Sequence, residues 1–125
     1  MPSFIASGAT LPAKDIAGTR KFYEGPLGLS VDDENPGGIF YRVGSTQIFL
    51  YPSEFAGTNQ ATAATFEVAD IDATVAELRD AGVSFEEYDM PELKTVNGIA
   101  DLEGDRGAWF KDPEGNILAL FQRGT

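Results

Sequence analysis

The sequence predicts an α+β fold made of two tandem βαβββ modules, and three observations carry that prediction. The order strand, helix, strand, strand, strand can be read twice along the 125 residues. A shift of 55 carries Asp15-Ile16 onto Asp70-Ile71 and Gly8 onto Ala63, while shifts of 69 and 70 carry Phe40 onto Trp109 and Phe49 onto Ala119. A repeat that places helix starts and aromatic strand positions in register is a statement about architecture. The third observation is the closing stretch Gly107–Gln122, in which two aromatic-rich runs flank Asp112-Pro113-Glu114-Gly115-Asn116. Pro113 presets the φ of a type I turn and Gly115 can take the left-handed conformation that closes it, so this stretch reads as a β-hairpin.

Taken in order, Ser3–Leu11 reads as a first strand, with Phe4, Ile5, Ala9 and Leu11 as its apolar members. Asp15–Glu24 is a short helix stopped by Pro26, and Leu29–Asp33 a strand ending at the loop Asn35-Pro36-Gly37-Gly38. Ile39–Val43 and Gln47–Tyr51 form a hairpin across Gly44-Ser45, pairing Arg42 with Gln47 and Phe40 with Phe49. Residues 53–60 have linker composition, so module one is set at about 1–52 and module two at about 61–125 of a single domain. Ala63–Val68 is a strand. In the next helix Ile71, Thr74, Val75 and Leu78 recur at helical spacing, Asp70 caps the start and Gly82 closes the end. Val83–Tyr88 is read as a returning strand and Asp89–Arg106 as a long irregular stretch.

In the last hairpin, pairing Asp112 with Asn116 sets Trp109 opposite Ala119 and Phe110 opposite Leu118. Alternation then sends Trp109, Lys111, Ile117, Ala119 and Phe121 to one face and Ala108, Phe110, Leu118 and Leu120 to the other. Both faces are apolar, so both require cover.

Composition narrows the chemistry. Hydrophobic residues at 42% and charged ones at 23% suit a globular protein with an ordinary core. No run is long enough to span a membrane, and Met1-Pro2-Ser3 lacks the features of a signal peptide, so a cytoplasmic protein with no membrane partner is expected. The absence of cysteine removes disulfides and thiolate chemistry; the absence of histidine removes the usual general base and the commonest transition-metal ligand. A net charge of −11 disfavours nucleic acid, whose phosphates need a basic patch.

Asp15-Ile16 leading to Phe22-Tyr23-Glu24 and Leu27-Gly28-Leu29, then Val68-Ala69-Asp70-Ile71-Asp72, and above all Phe110-Lys111-Asp112-Pro113-Glu114-Gly115-Asn116 carry a resemblance. The chain resembles the vicinal oxygen chelate superfamily, which includes glyoxalase I, extradiol dioxygenases and the fosfomycin- and bleomycin-resistance proteins. The likeness spans nearly the whole chain. It implies two modules whose sheets curl around a ligand cleft, often completed by a second subunit. Metal-dependent members place ligands at four strand positions, which fall here on Gly8, Phe49, Ala63 and Ala119. None of these side chains can bind a metal, so no metal and no cofactor are expected. Asp32-Asp33-Glu34 could hold a hard cation, but such a run usually forms a solvated loop.

The resemblance also implies which face is the cleft. Phe40, Arg42, Gln47, Phe49, Tyr51, Thr65, Glu67, Trp109, Lys111, Ile117, Ala119 and Phe121 are the candidate ligand-binding residues. Small side chains leave space there and aromatic ones supply flat walls, a combination suited to an aromatic or amphipathic molecule such as an antibiotic. A metal-independent, homodimeric binding protein that acts by sequestration is the first expectation. The alternative is a cofactor-free isomerase, cyclase or lyase in which Glu67 or Tyr51 is the acid–base group, an isolated carboxyl among aromatics having a raised pKa.

Overall fold

The computed structural model describes residues 2–124. Its elements in chain order are β1 (Thr10–Ala13), α1 (Ile16–Glu24), β2 (Ser30–Asn35), β3 (Gly38–Val43), β4 (Thr46–Pro52), β5 (Thr62–Glu67), α2 (Ile71–Asp80), β6 (Asp89–Met90), β7 (Leu93–Val96), β8 (Ile99–Leu102), β9 (Asp105–Lys111) and β10 (Ile117–Gln122). One sheet has the order β1-β4-β3-β2 and the other β5-β10-β9-β8-β7-β6. In each, the first strand of the module lies parallel to the last, Thr10 beside Phe49 and Thr65 beside Ala119. The two βαβββ units are thus the same object built twice, with an extra hairpin on the second. No helix among the described residues is long and apolar enough to cross a membrane.

Local chemistry explains the helices. The Asp15 carboxyl accepts from Gly18 N and the Asp70 carboxyl from Ala73 N, each satisfying an otherwise orphaned N–H of the first turn. Ile71, Val75 and Leu78 of α2 and Thr19 and Tyr23 of α1 are buried against the sheets. Their neighbours are Leu11, Ile39, Tyr41, Ile48, Leu50, Phe110, Leu118 and Leu120, which form one continuous core.

The closing hairpin folds as its sequence indicates, with Asp112 N donating to Asn116 O and Gly115 at φ +91°. Trp109 pairs with Ala119 and Phe110 with Leu118. Its turn also serves as the clasp of the molecule. Asp112 and Asn116 are 4% exposed, and the Asp112 carboxyl accepts from Tyr23 Oη, Glu114 N, Asn116 N and Asn116 Nδ2. Asn116 Nδ2 also donates to Pro12 O, and Asn116 Oδ1 accepts from Gly57 N. One five-residue turn therefore ties together α1, β1 and the segment that joins the modules.

Three expectations need correction. The first strand is Thr10–Ala13, not Ser3–Leu11, and Phe4 and Ile5 are exposed by 88% and 102%. Its parallel partner β4 begins at Thr46 and reaches Thr10 only at Phe49, so residues 3–6 run past its start and have no ladder to join. Val83–Tyr88 is not a strand but a single bridge, Phe85 to Phe110, because β8 already occupies the edge of β9 from Asp105 to Ala108. The stretch Asp89–Arg106 is not irregular. It carries β6, β7, β8 and the start of β9, with two-residue turns at Asn97-Gly98 (φ 54° and 82°) and Glu103-Gly104 (φ 56° and 103°).

Candidate functional site

Alternation divides each sheet cleanly. Ile39, Tyr41, Ile48, Leu50, Ala64, Ala108, Phe110, Leu118 and Leu120 are buried against the helices. The twelve candidate positions occupy the opposite face. Phe40, Gln47, Phe49, Tyr51, Trp109, Ile117 and Phe121 there are half-buried, Arg42, Thr65, Glu67 and Lys111 exposed, and Ala119 covered by its neighbours.

On the first sheet the aromatic rings form a column. Phe40 and Phe49 stack at 4.3 Å between centroids, and Phe49 and Tyr51 at 6.1 Å with planes 10° apart. Beside the column lies a cavity of about 330 Å³, lined by Phe40, Arg42, Ser45, Thr46, Gln47, Phe49 and the backbone run Ala6–Thr10. Gly8 has a steric reason to be glycine, since a Cβ there would sit 2.1 Å from Gln47 O. The wall made by residues 6–10 can thus lie close against the hairpin.

On the second sheet Trp109 is the centre. Its indole leans along β9 over Gly107, where a Cβ would meet Trp109 Cη2 at 3.0 Å. Ala119 flanks Trp109 across the ladder, with Thr65 beside Ala119 and Glu67 beside Phe121. The structure therefore gathers Phe40, Arg42, Gln47 and Phe49 around one cavity. It places Trp109, Lys111, Ile117, Ala119 and Phe121 together on the matching face of the other sheet.

The charged candidates on these faces, Arg42, Lys111 and Glu67, each have a partner, while Asp33, beside Phe40 on β2, is exposed. Arg42 Nη2 lies 2.5 Å from Asp32 Oδ2, and the Gln47 amide donates to the same oxygen. Lys111 Nζ is 3.4 Å from Glu86, and Glu67 is 2.9 Å from Arg123 Nε, whose guanidinium lies over the Phe121 ring. Glu67 is consequently an exposed, ion-paired carboxyl, not the isolated one expected from the sequence. Of the acidic run in β2, Asp32 is engaged by Arg42 and Glu34 by Arg20.

A metal centre does not fit these faces. Gly8, Phe49, Ala63 and Ala119 carry no donor atom in their side chains, and no group of three or more carboxylates is arranged to hold a metal among the described residues.

Sequence reasoning missed Tyr88. Its ring stands edge-on to Trp109, with centroids 5.6 Å apart and planes at 83°. The signal that could have found it is Asn97-Gly98 between apolar runs, a strong hairpin mark that makes the preceding segment part of the second sheet.

A second cavity, of about 230 Å³, lies on the opposite side, where the helix face of β5 and β10 meets Leu27, Leu29 and Val43 of the first module. Leu78 and Phe110 close it.

Two βαβββ units presenting aromatic-walled sheet faces, with helices behind, define a small α+β protein of two repeated modules. The chain belongs to the Glyoxalase/Bleomycin resistance protein/Dioxygenase superfamily, whose model matches residues 6–120. Among solved structures it is similar to the bleomycin-binding protein of bleomycin-producing Streptomyces verticillus in complex with copper(II)-bleomycin. That match has 25% identity, covers 100% of both chains and has a TM-score of 0.74. It is also similar to TnmS3, an antibiotic-binding protein from Streptomyces sp. CB03234 (20% identity, 99% of each chain, TM-score 0.69). The lactoylglutathione lyase of Agrobacterium tumefaciens shares the fold as well (19% identity, 98% of this chain and 95% of that one, TM-score 0.69). A comparison with curated protein sequences finds no match.

Proposed function

We propose that this protein is a metal-independent binding protein that captures a neutral, planar aromatic molecule, such as an antibiotic, against its aromatic sheet faces. The observation that carries the reading is the half-buried Phe40–Phe49–Tyr51 column beside an open cavity, on a face where Arg42, Lys111 and Glu67 are already paired. Stacked rings reward a flat aromatic surface. An anion at Arg42 or Lys111, or a cation at Glu67, would have to displace an existing ion pair, whereas a neutral ligand would not. The likeness to a bleomycin-binding and to an antibiotic-binding protein supports capture as the task. The lack of side-chain donors at Gly8, Phe49, Ala63 and Ala119 supports capture without a protein-held metal.

The two aromatic faces sit on separate sheets, and a homodimer in which each copy covers the other's half-site accounts for both. A cofactor-free isomerase, cyclase or lyase is the second reading. It retains only Tyr51 as its acid–base group, since Glu67 is engaged by Arg123.

Native mass spectrometry of protein purified from its own host, without an affinity-tag metal, tests the reading. It predicts an organic adduct of drug-like mass on the chain. One tightly held Zn, Fe, Mn or Ni per chain would overturn it.

A further inference from the structure

The four tyrosines fall into two kinds. Tyr23 and Tyr41 are buried on the helix side of the sheets, and their hydroxyls donate to Asp112 (2.5 Å) and Glu24 (2.7 Å). Tyr51 and Tyr88 are half-buried on the open side, one from each module. Among the described residues no buried side-chain polar atom lacks a partner, and neither of these two hydroxyls has one, so both face solvent. A phenol held against an aromatic wall with its hydroxyl free is a ligand contact in waiting.

Tyr88 also comes from the part of the chain that breaks the internal repeat. In module one, residues 25–29 join the helix to β2; in module two, residues 81–98, which include β6 and β7, lie between the helix and the corresponding strand β8. This added segment is firmly held. Glu86 N donates to Trp109 O (2.8 Å), Tyr88 N to Thr95 Oγ1 (2.8 Å), and Thr95 N to Tyr88 O (2.9 Å). Thr95 Oγ1 and Gly98 N both donate to Glu87 Oε1, at 2.6 and 2.8 Å. The Tyr88 N–H and C=O are thereby both held by Thr95, and its ring at 83° to the indole forms an L-shaped corner with Trp109.

We propose that Tyr88 is a specificity-determining residue of the second sheet. A flat aromatic ring seated in the corner lies against one of the two planes and presents its edge to the other. The free Tyr88 hydroxyl then hydrogen-bonds to a carbonyl or hydroxyl at the edge of that ring. The adjacent cation, Lys111, is paired with Glu86, so the corner favours a neutral, oxygen-substituted polycyclic aromatic over a carboxylate or an ammonium. The proposal rests on the binding reading above and adds the chemistry of its ligand.

The test is calorimetric titration of the full chain with flavone, 7-hydroxyflavone and acridone. Wild type, Tyr88→Phe, Tyr88→Ala and Phe49→Ala are compared, with circular dichroism melts to verify that each variant is folded. The expected result is saturable binding to wild type. Tyr88→Ala should weaken it by roughly tenfold through loss of both ring and hydroxyl contacts, and Tyr88→Phe by roughly fivefold through loss of the hydroxyl contact alone. Binding that Phe49→Ala reduces and both Tyr88 variants leave intact would overturn the Tyr88 assignment and leave the binding reading standing. Failure of all three probes to bind wild type would overturn both.

Discussion

The Tyr23 hydroxyl donates to Asp112 Oδ2 at 2.5 Å, joining a helix of the first module to the last hairpin of the second across 89 residues of sequence. Both groups are buried, and Asp112 serves Asn116 and the turn backbone at the same time. Tyr23→Phe removes one donor and should cost about 1–3 kcal/mol, the price of an unmet buried hydrogen bond. Asp112→Ala strands every donor that now uses the carboxyl and should cost more than about 3 kcal/mol. Urea melts of both single variants and the double variant measure this. A double variant no worse than Asp112→Ala would show that the two residues act as one unit.

Stability should fall at both ends of the pH scale, for opposite reasons. Burial tends to raise Glu114, but N–H groups of Lys14 and Asp15 and the Thr19 hydroxyl hold its pKa below the ordinary carboxylate value. Between its lowered value and about 4.3 the unfolded chain binds the extra proton, so this stabilisation is lost as pH falls through that window. In the alkaline range burial, with Asp112 beside it, pushes the Tyr23 hydroxyl far above the phenol range. Burial and the bond to Glu24 do the same to Tyr41. Above about pH 10 the unfolded tyrosines lose protons that the folded ones keep, so stability falls as pH rises. Phenolate absorbance from these two residues should appear only together with loss of the folded circular dichroism signal. Melting temperatures of Glu114→Gln should decline less steeply than wild type below about pH 4.3.

Neighbouring positions on β10 should respond in opposite ways. Leu118 is fully buried on the helix face, so Leu118→Ala should cost about 2–5 kcal/mol while binding of a planar aromatic persists. Ala119 lies on the other face, paired with Trp109, and is 5% exposed. Ala119→Phe should cost about 1–3 kcal/mol through overpacking and should abolish binding. Urea melts paired with calorimetry separate the two outcomes.

A chain of 13.4 kDa with half-buried aromatics on two sheet faces is expected to pair with a second copy. Light scattering at micromolar concentration should return twice the monomer mass, and substituting Trp109 or Phe121 with Glu should reduce it. A mass near that of one chain for wild type would contradict the dimer.

Much of this architecture was legible because each reading rested on a local physical cause. Pro113 and Gly115 dictate a turn, the turn fixes the register of Trp109 on Ala119, and alternation then assigns every face. The repeat extended that logic to β3 and β4. What escaped was non-local. Whether residues 3–6 pair depends on where β4 begins, and whether Val83–Tyr88 pairs depends on β8 having taken the edge of β9. The ion pairs Arg42–Asp32, Lys111–Glu86 and Glu67–Arg123 join different elements, so no local pattern announces them. They changed the expected chemistry most, because they leave none of the charged candidates Arg42, Lys111 and Glu67 unpaired. Asn97-Gly98 was the missed local signal, and reading it would have brought Tyr88 to the sheet.

The measurement that tests the central claim most directly is a nitrogen-15 NMR titration of the full chain with 7-hydroxyflavone. The aromatic-face account predicts saturable shifts at the Trp109 indole N–H and at the backbone of Gln47, Phe49 and Tyr51, with Leu29 and Leu78 unmoved. Shifts confined to Leu29, Leu78 and Phe110, around the cavity on the helix side, with none at Trp109, would contradict it.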